Sequence, residues 1–280
     1  MNPLITDPYK SLFYAIKDGN LDTAQQILQI NPTIDISAGN EEAFRLACGW
    51  GGHLNIAQWL LQVKPTIDIS ANNEEAFVNA CFYGHLNIAQ WLFQIKPTIN
   101  ISAYDEDAFR FSCANGNLNI AQWLLQIKPT INISANNEYA FRVACQNGYL
   151  NISQWLLQIK PTINISAGNE EAFRDACSNR QLNVAQWFVS LRPDKYKITL
   201  NDDGVIDYEI VYSLNIVGTK EVYEKETCPI CCISVCDVIT CCNHSYCNPC
   251  ISNWLNTNHS SCPTCRNNIR ETVFRKLVII

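Results

Sequence analysis

The chain has 280 residues and a formal net charge of −6, room for one large domain or two smaller ones. Its mild acidity and lack of any Lys/Arg cluster argue against nucleic acid as a partner, and no apolar run approaches the roughly 20 residues that cross a bilayer, so no membrane partner is expected either. The opening MNPLITDPYK lacks a basic segment followed by a long apolar one and is not expected to act as a secretory signal; the odd count of 15 cysteines then fits a reducing compartment better than a disulfide framework.

From residue 8 to about 192 the sequence repeats itself. LNIAQWLLQVKPTIDISANNEEAFVNACFYGH is followed directly by LNIAQWLFQIKPTINISAYDEDAFRFSCANGN. Tryptophans recur at Trp59, Trp91, Trp123, Trp155 and Trp187, and cysteines at Cys48, Cys81, Cys113, Cys145 and Cys177. The first cysteine interval is one residue longer, which Gly51-Gly52 takes up. A worn copy, LDTAQQILQINPT, opens the series, giving about six copies with atypical ends.

Each copy predicts two short helices. EEAFxxAC sets Phe and Cys four apart on one face, and its leading acids, Glu41 and Glu42 or Glu74 and Glu75, suit the positive end of a helix. LNIAQWLL places Ile56, Trp59 and Leu60 on one apolar stripe. Lys-Pro-Thr ends that helix, because the residue before proline resists helical angles, and INISANN supplies a short extended piece and a turn. The repeated cysteines read as small buried hydrophobes. One per copy, with no second ligand at short spacing, makes no metal site. The tryptophans, in phase with Ile and Leu, read as core, and His53 and His85 as structural.

The repeating segment resembles the ankyrin repeat, above all in GHLNIAQWLL at 52–61 and its counterpart at 84–93. EEAF departs from the usual threonine-proline-leucine, and the repeat is one residue short. It is similar to the repeats of ankyrin proteins in giant amoeba viruses. The resemblance implies an α-solenoid of about six repeats, 32–33 residues each, whose variable positions line one extended surface. Those positions end the first helix of each repeat and begin the loop after it. Trp50, Phe82, Tyr83 and Phe111 are the aromatics among them: either anchors for a protein target or partly buried filler.

After Trp187 the pattern degrades. LNDDGVIDYEIVYSL reads either as the start of a further repeat or as a hairpin around Asp203-Gly204. The charged EVYEKET that precedes the remaining cysteines reads as a linker.

From 228 to 265 ligand-type residues fall in four pairs: Cys228-x2-Cys231, Cys242-x-His244, Cys247-x2-Cys250 and Cys262-x2-Cys265. A pair two apart lets one tight turn present both sulfurs to one ion, and seven cysteines with one histidine are enough for two tetrahedral zinc sites. So short a stretch has no room for a large apolar core, so the metal must hold it together. Cys232, Cys236 and Cys241 are surplus. Cys241-x2-His244 is also a permitted spacing, which makes Cys241 the rival of Cys242; His259 is a weaker one.

This pattern resembles the C3HC4 RING finger. The resemblance implies interleaved pairs: Cys228, Cys231, Cys247 and Cys250 on one zinc, and Cys242, His244, Cys262 and Cys265 on the other, both ions structural. It also implies that Ile230, Trp254 and Pro263 bind a ubiquitin-conjugating enzyme (E2), and that Arg266 bridges that enzyme and ubiquitin. Phe274, in the apolar tail VFRKLVII, would reach ubiquitin across a RING dimer, unless the tail folds back as a strand on its own RING or on the 195–227 segment.

The sequence thus predicts an ankyrin-repeat domain (1–194), a linker or degenerate repeat (195–227), a small zinc-stabilised α+β RING domain (228–270) and an apolar tail (271–280). The expected activity is that of a RING-type E3 ubiquitin-protein ligase with no nucleophile of its own. The ankyrin stack would recruit a protein target, and the RING would orient the ubiquitin thioester toward a target lysine, which is catalysis by orientation. The expected partners are an E2, ubiquitin and that target. The chain would act as a monomer or RING-mediated dimer in the cytoplasm or nucleus, of the host cell if viral, and would not be secreted. The competing reading is a non-catalytic scaffold that uses its RING for docking or dimerisation.

Overall fold

The computed structural model describes residues 7–211, 215–222, 228–230, 236, 238–240, 244–256, 261–266 and 273–279; of these, 215–222, 239, 248–249, 256 and 273–279 are described in backbone only. The packing divides the chain into two units, Met1–Val184 and Ala185–Ile280.

Helices follow one another in pairs joined by short loops: α1 (Pro8–Lys17) and α2 (Leu21–Ile30), α3 (Ala38–Cys48) and α4 (Leu54–Val63), α5 (Ala71–Tyr83) and α6 (Leu86–Ile95). Then come α7 (Ala103–Ala114) and α8 (Leu118–Ile127), α9 (Ala135–Gln146) and α10 (Leu150–Ile159), and α11 (Ala167–Ser178) and α12 (Leu182–Leu191), the last running across the division. The first helices of successive pairs stack, α3 on α5, α5 on α7, α7 on α9 and α9 on α11, which makes the first unit an α-solenoid. The second helices α4, α6, α8 and α10 stop where the sequence predicts, at the lysine before proline; Lys64 has φ −135° and ψ 87°.

Small and aliphatic residues close each pair. Ala43, Phe44, Ala47 and Cys48 of α3 and Ile56, Ala57 and Leu60 of α4 are buried, and burying a side chain such as Phe or Leu contributes about 1.5–3 kcal/mol. The five repeated cysteines are buried as well. Burial pushes their thiols up, those of Cys145 and Cys177 to about 12. The tryptophans are only half-buried and pack between repeats: Phe44 meets Trp91, Phe77 meets Trp123 and Phe109 meets Trp155, with ring centroids 6.2–6.3 Å apart.

One local feature departs from the sequence reading. Gly39-Asn40-Glu41, Asn72-Asn73-Glu74, Tyr104-Asp105-Glu106, Asn136-Asn137-Glu138 and Gly168-Asn169-Glu170 all take left-handed backbone angles. Gly, Asn and Asp reach that region at least cost, which accounts for the small polar residues before each glutamate. Glu41 and Glu74 therefore do not sit on a regular first helical turn. They are buried, and each accepts a backbone N–H from the turn that follows its own helix pair: Asp68 at 3.3 Å for Glu41 and Asn100 at 3.1 Å for Glu74. Glu106 and Glu138 do the same with Asn132 and Asn164. Ser70 and Ser102 donate to the carboxylates of Glu74 and Glu106 at 2.6 Å, and Lys96 and Lys128 reach those serines.

In the second unit, α12 leads into a hairpin of β1 (Tyr196–Leu200) and β2 (Ile206–Ile210), antiparallel from Tyr196↔Ile210 to Leu200↔Ile206. Asn201 holds the connecting loop by accepting the N–H groups of Asp203 and Val205 at 3.1 and 2.9 Å, and Gly204 supplies the positive φ that the turn needs. Tyr196, Ile206 and Ile210 are buried, with Phe188 edge-on to Tyr196 at 5.4 Å. Of the two readings of LNDDGVIDYEIVYSL, the hairpin is the one that forms.

The stretch expected as a linker or degenerate repeat also contributes a strand, β3 (Asn215–Val222), and the apolar tail another, β6 (Val273–Ile279). These two pair in parallel from Asn215↔Val273 to Val222↔Ile279. With β4 (Val238–Ile239) and β5 (Ser245–Tyr246) they form one sheet in the order β3-β6-β4-β5. The tail is thus an interior strand, folded back on its own chain. The side chain of Phe274, and with it the expected ubiquitin contact, lies outside the described residues. Helix α13 (Asn248–Asn256) follows β5, and its Ile251 and Leu255, four apart, join Val238 and Tyr246 among the buried side chains. Among the described residues no helix is long and apolar enough to cross a membrane.

Candidate functional site

Two turns and one helix start present the ligand-type residues. Thr240 pairs with His244 ahead of β5: its N–H and hydroxyl donate to the His244 carbonyl at 3.0 and 3.1 Å, and the hydroxyl accepts the His244 N–H at 3.1 Å. Helix α13 begins immediately after Cys247, with the N–H groups of Cys250 and Ile251 bonded to the Cys247 carbonyl. Proline is tolerated in a first turn because its missing N–H would have no partner there, and Pro249 sits in this one. The 262–265 turn closes through the Arg266 N–H to the Cys262 carbonyl at 2.9 Å, with Arg266 at φ +63°.

These devices bring distant pairs together. Cys228, Cys247 and Cys250 offer sulfurs within 4.8 Å of one another, and so do the ligand atoms of His244, Cys262 and Cys265. The pairs interleave, as the RING resemblance implies. Cys262 Sγ lies 3.5 Å from His244 Nδ1. A Zn–S bond of about 2.3 Å and a Zn–N bond of about 2.0–2.1 Å, at a tetrahedral angle, put the two ligand atoms about 3.6 Å apart. This pair therefore already has the spacing that a zinc site would need, with Nδ1 the ring nitrogen on the Cys262 side. Two clusters of this composition are two structural zinc sites. The fourth ligands expected from the sequence, Cys231 and Cys242, lie outside the described residues, as do Cys232, Cys241 and His259. Cys236 is buried and belongs to neither cluster.

Sequence reasoning passed over Tyr246. Its hydroxyl lies 3.0 Å from Cys262 Sγ and 2.7 Å from Thr264 Oγ1, and accepts the Thr264 N–H at 3.2 Å. Burial, followed by the bond to Cys262, raises the hydroxyl above its ordinary range and keeps it protonated. The only signal in the sequence is an aromatic with a polar tip directly before the fifth ligand.

Of the residues expected to meet a conjugating enzyme, Ile230 is 39% exposed, Pro263 and Trp254 are half-buried, and Arg266 is exposed. Trp254 is more than a surface residue. Its indole N–H donates to the Ser261 carbonyl at 2.9 Å, tying α13 to the residue before Cys262.

In the solenoid, the variable aromatics meet. Trp50 contacts Tyr83 at 5.7 Å between ring centroids, Tyr83 contacts Phe82 at 4.7 Å, Phe82 contacts Phe111 at 5.6 Å, and Phe111 contacts Tyr139 at 6.1 Å. Lys17 caps one end of this arc, 5.3 Å over the Trp50 ring, and Arg110 the other, over Phe111 and Tyr139. Trp50 is 61% exposed and Tyr83 39%, whereas Phe82 and Phe111 are half-buried. Beside Trp50 and Tyr83 lies a cavity of about 290 Å³, bounded also by Phe13, Leu46 and the Arg45–Glu75 ion pair. Tyr139 was missed in the sequence. Its signal is the change from EEAF to EYAF in that repeat.

The family description "Ankyrin repeats (3 copies)" matches residues 12–105 and 109–202, more than half of the chain, and "Zinc finger, C3HC4 type (RING finger)" matches residues 228–265. No curated protein matches the chain. It is similar to a solved structure of a predatory endopeptidase from Bdellovibrio bacteriovorus in complex with an immunity protein, at 24% identity and a TM-score of 0.48, over 65% of this chain and 97% of that one. The chain belongs to the ankyrin-repeat family and carries a C-terminal zinc finger of the RING type.

Proposed function

We propose that this chain is a RING-type E3 ubiquitin-protein ligase. The observation that supports it best is the exposure of Ile230, two residues past the ligand Cys228, in a domain with few apolar side chains to spare. An apolar side chain left at the surface beside a rigid metal turn suits a contact with another protein. In this reading the zinc ions supply rigidity and folding free energy. Ile230, Pro263 and Trp254 hold the conjugating enzyme. The Arg266 guanidinium, exposed directly after the last ligand, donates to carbonyl groups on that enzyme and on ubiquitin, which its planar fork suits. Restricting the charged enzyme to one geometry raises the rate at which a lysine attacks its thioester. The aromatic arc from Trp50 to Phe111 captures the protein target, so that target lysines are held near the thioester. The partners are an E2, ubiquitin and the target, and the site of action is the cytoplasm or nucleus.

Single-turnover discharge of ubiquitin from a charged conjugating enzyme onto free lysine tests this reading without knowledge of the target. Acceleration by the wild-type chain, lost in Arg266→Ala, is the expected result. Failure to accelerate any member of an E2 panel favours a scaffold.

A further inference from the structure

Tyr246 ends β5 directly before Cys247, a ligand of one zinc cluster, yet its hydroxyl reaches Cys262, a ligand of the other. The residue is fully buried. A hydroxyl taken into such a place is costly unless it is bonded, and a phenylalanine would fill the same space without that cost. The three contacts of the hydroxyl limit where its proton can go. The Thr264 N–H, 3.2 Å away, can only donate to it. A cysteine that coordinates zinc is a thiolate and can only accept. The phenolic proton can then go to Cys262 Sγ, 3.0 Å away, or to the Thr264 hydroxyl, 2.7 Å away, and the bond to the charged sulfur is the stronger of the two.

We propose that Tyr246 is a positioning residue for the second zinc site. Its O–H donates to the Cys262 thiolate, fixes the direction of that sulfur and draws off part of its charge. Because Tyr246 is covalently next to Cys247, the same bond links the strand that leads into the first site to the 262–265 turn of the second. The residue touches neither ion and acts only through Cys262. Groups that bond a ligating atom commonly change metal affinity by about 10–100-fold.

The test is Tyr246→Phe in the full-length chain, which keeps the ring and removes the hydroxyl. At saturation the variant is expected to hold two zinc ions, with competition against a chelator showing one site weakened about tenfold and the other unchanged. In the Co2+-substituted chain the sulfur-to-metal charge-transfer band of one site should move to lower energy, because the freed sulfur gives up charge more easily. A purely packing role for the ring would leave that band in place. Wild-type affinities at both sites with an unshifted band would overturn the proposal. Should the variant not fold, cadmium NMR on the wild-type chain decides: scalar coupling of the Tyr246 hydroxyl proton to the cadmium at the second site supports the proposal, and its absence overturns it.

Discussion

The Glu74 carboxylate accepts the backbone N–H of Asn100, 3.1 Å away and 26 residues further along the chain. Because the same contact recurs at Glu41, Glu106 and Glu138, it amounts to a polar seam that joins each helix pair to the turn after it. Glu74→Ala removes the acceptor shared by Asn100 and Ser70. Hydrogen bonds to a charged group contribute about 1.5–3 kcal/mol, and a loss of that order is expected in urea unfolding followed by circular dichroism. Glu75→Ala, which breaks a more exposed pair with Arg45, should cost about 1 kcal/mol or less. Equal effects of the two substitutions would show that the seam carries no special weight.

His85 gives the solenoid a dependence on pH. Its ring lies against Gly52, where a Cβ would come 2.4 Å from Cε1 and where φ is +63°. Burial holds the imidazole below its ordinary value, outweighing the backbone bond with Gly49, and Nε2 is buried with no acceptor for a second proton. Below the unfolded value of about 6.5 the unfolded chain therefore binds a proton that the folded chain refuses. Stability falls as pH drops through that value and levels off once the folded histidine also titrates. Asn117 occupies the equivalent place one repeat later and bonds the Cys81 and Phe82 carbonyls. His85→Asn should therefore fold normally and show a flatter dependence of the urea midpoint between about pH 7 and 5. An unchanged slope would assign the dependence to other groups.

Metal removal should divide the cysteines into two classes. The five solenoid thiols are buried, with pKa values raised by that burial, so they present almost no thiolate near neutral pH. The zinc ligands are protected by the ion instead. A chelator should open the C-terminal thiols to an aromatic disulfide reagent while Cys48, Cys81, Cys113, Cys145 and Cys177 stay unreacted until denaturant is added. Mass mapping of the modified peptides reads this directly, and early labelling of the solenoid cysteines would mean that the two units unfold together.

The aromatic arc separates binding from folding. Trp50 and Tyr83 are exposed, so replacing either with alanine should change the urea midpoint little. Phe77, fully buried, should cost about 3–5 kcal/mol when replaced with alanine. Peptides selected by display on the wild-type solenoid are expected to bind Trp50→Ala and Tyr83→Ala some 30-fold more weakly, the loss of an interface anchor of about 2 kcal/mol. Full affinity for both variants would move the target site elsewhere on the repeats.

The repeat, its two helices and the buried Phe44–Cys48 face were legible because helical spacing alone places them. The interleaved metal pairs were legible for a similar reason, since ligand spacing and the RING pattern are local. What stayed hidden depends on partners far away in sequence. Glu74 at the start of an apolar helix looks like an ordinary helix-start acid until Asn100 is seen beside it. Trp254 read as a surface contact, because nothing local announces its bond to Ser261. The hydroxyl of Tyr246 has meaning only once Cys262 folds against it. The tail left two readings open because strand pairing such as Val222↔Ile279 joins segments more than fifty residues apart, and no local pattern selects the partner.

The central claim is ubiquitin transfer, and a full reconstitution tests it most directly: activating enzyme, a panel of conjugating enzymes, ubiquitin, ATP and the full-length chain, with zinc content measured alongside. The account predicts ubiquitin chains with at least one conjugating enzyme. It also predicts their loss in Ile230→Ala while that variant keeps both zinc ions, since Ile230 is exposed and ligates nothing. No chains with any conjugating enzyme, or undiminished chain formation by a zinc-replete Ile230→Ala, would contradict it.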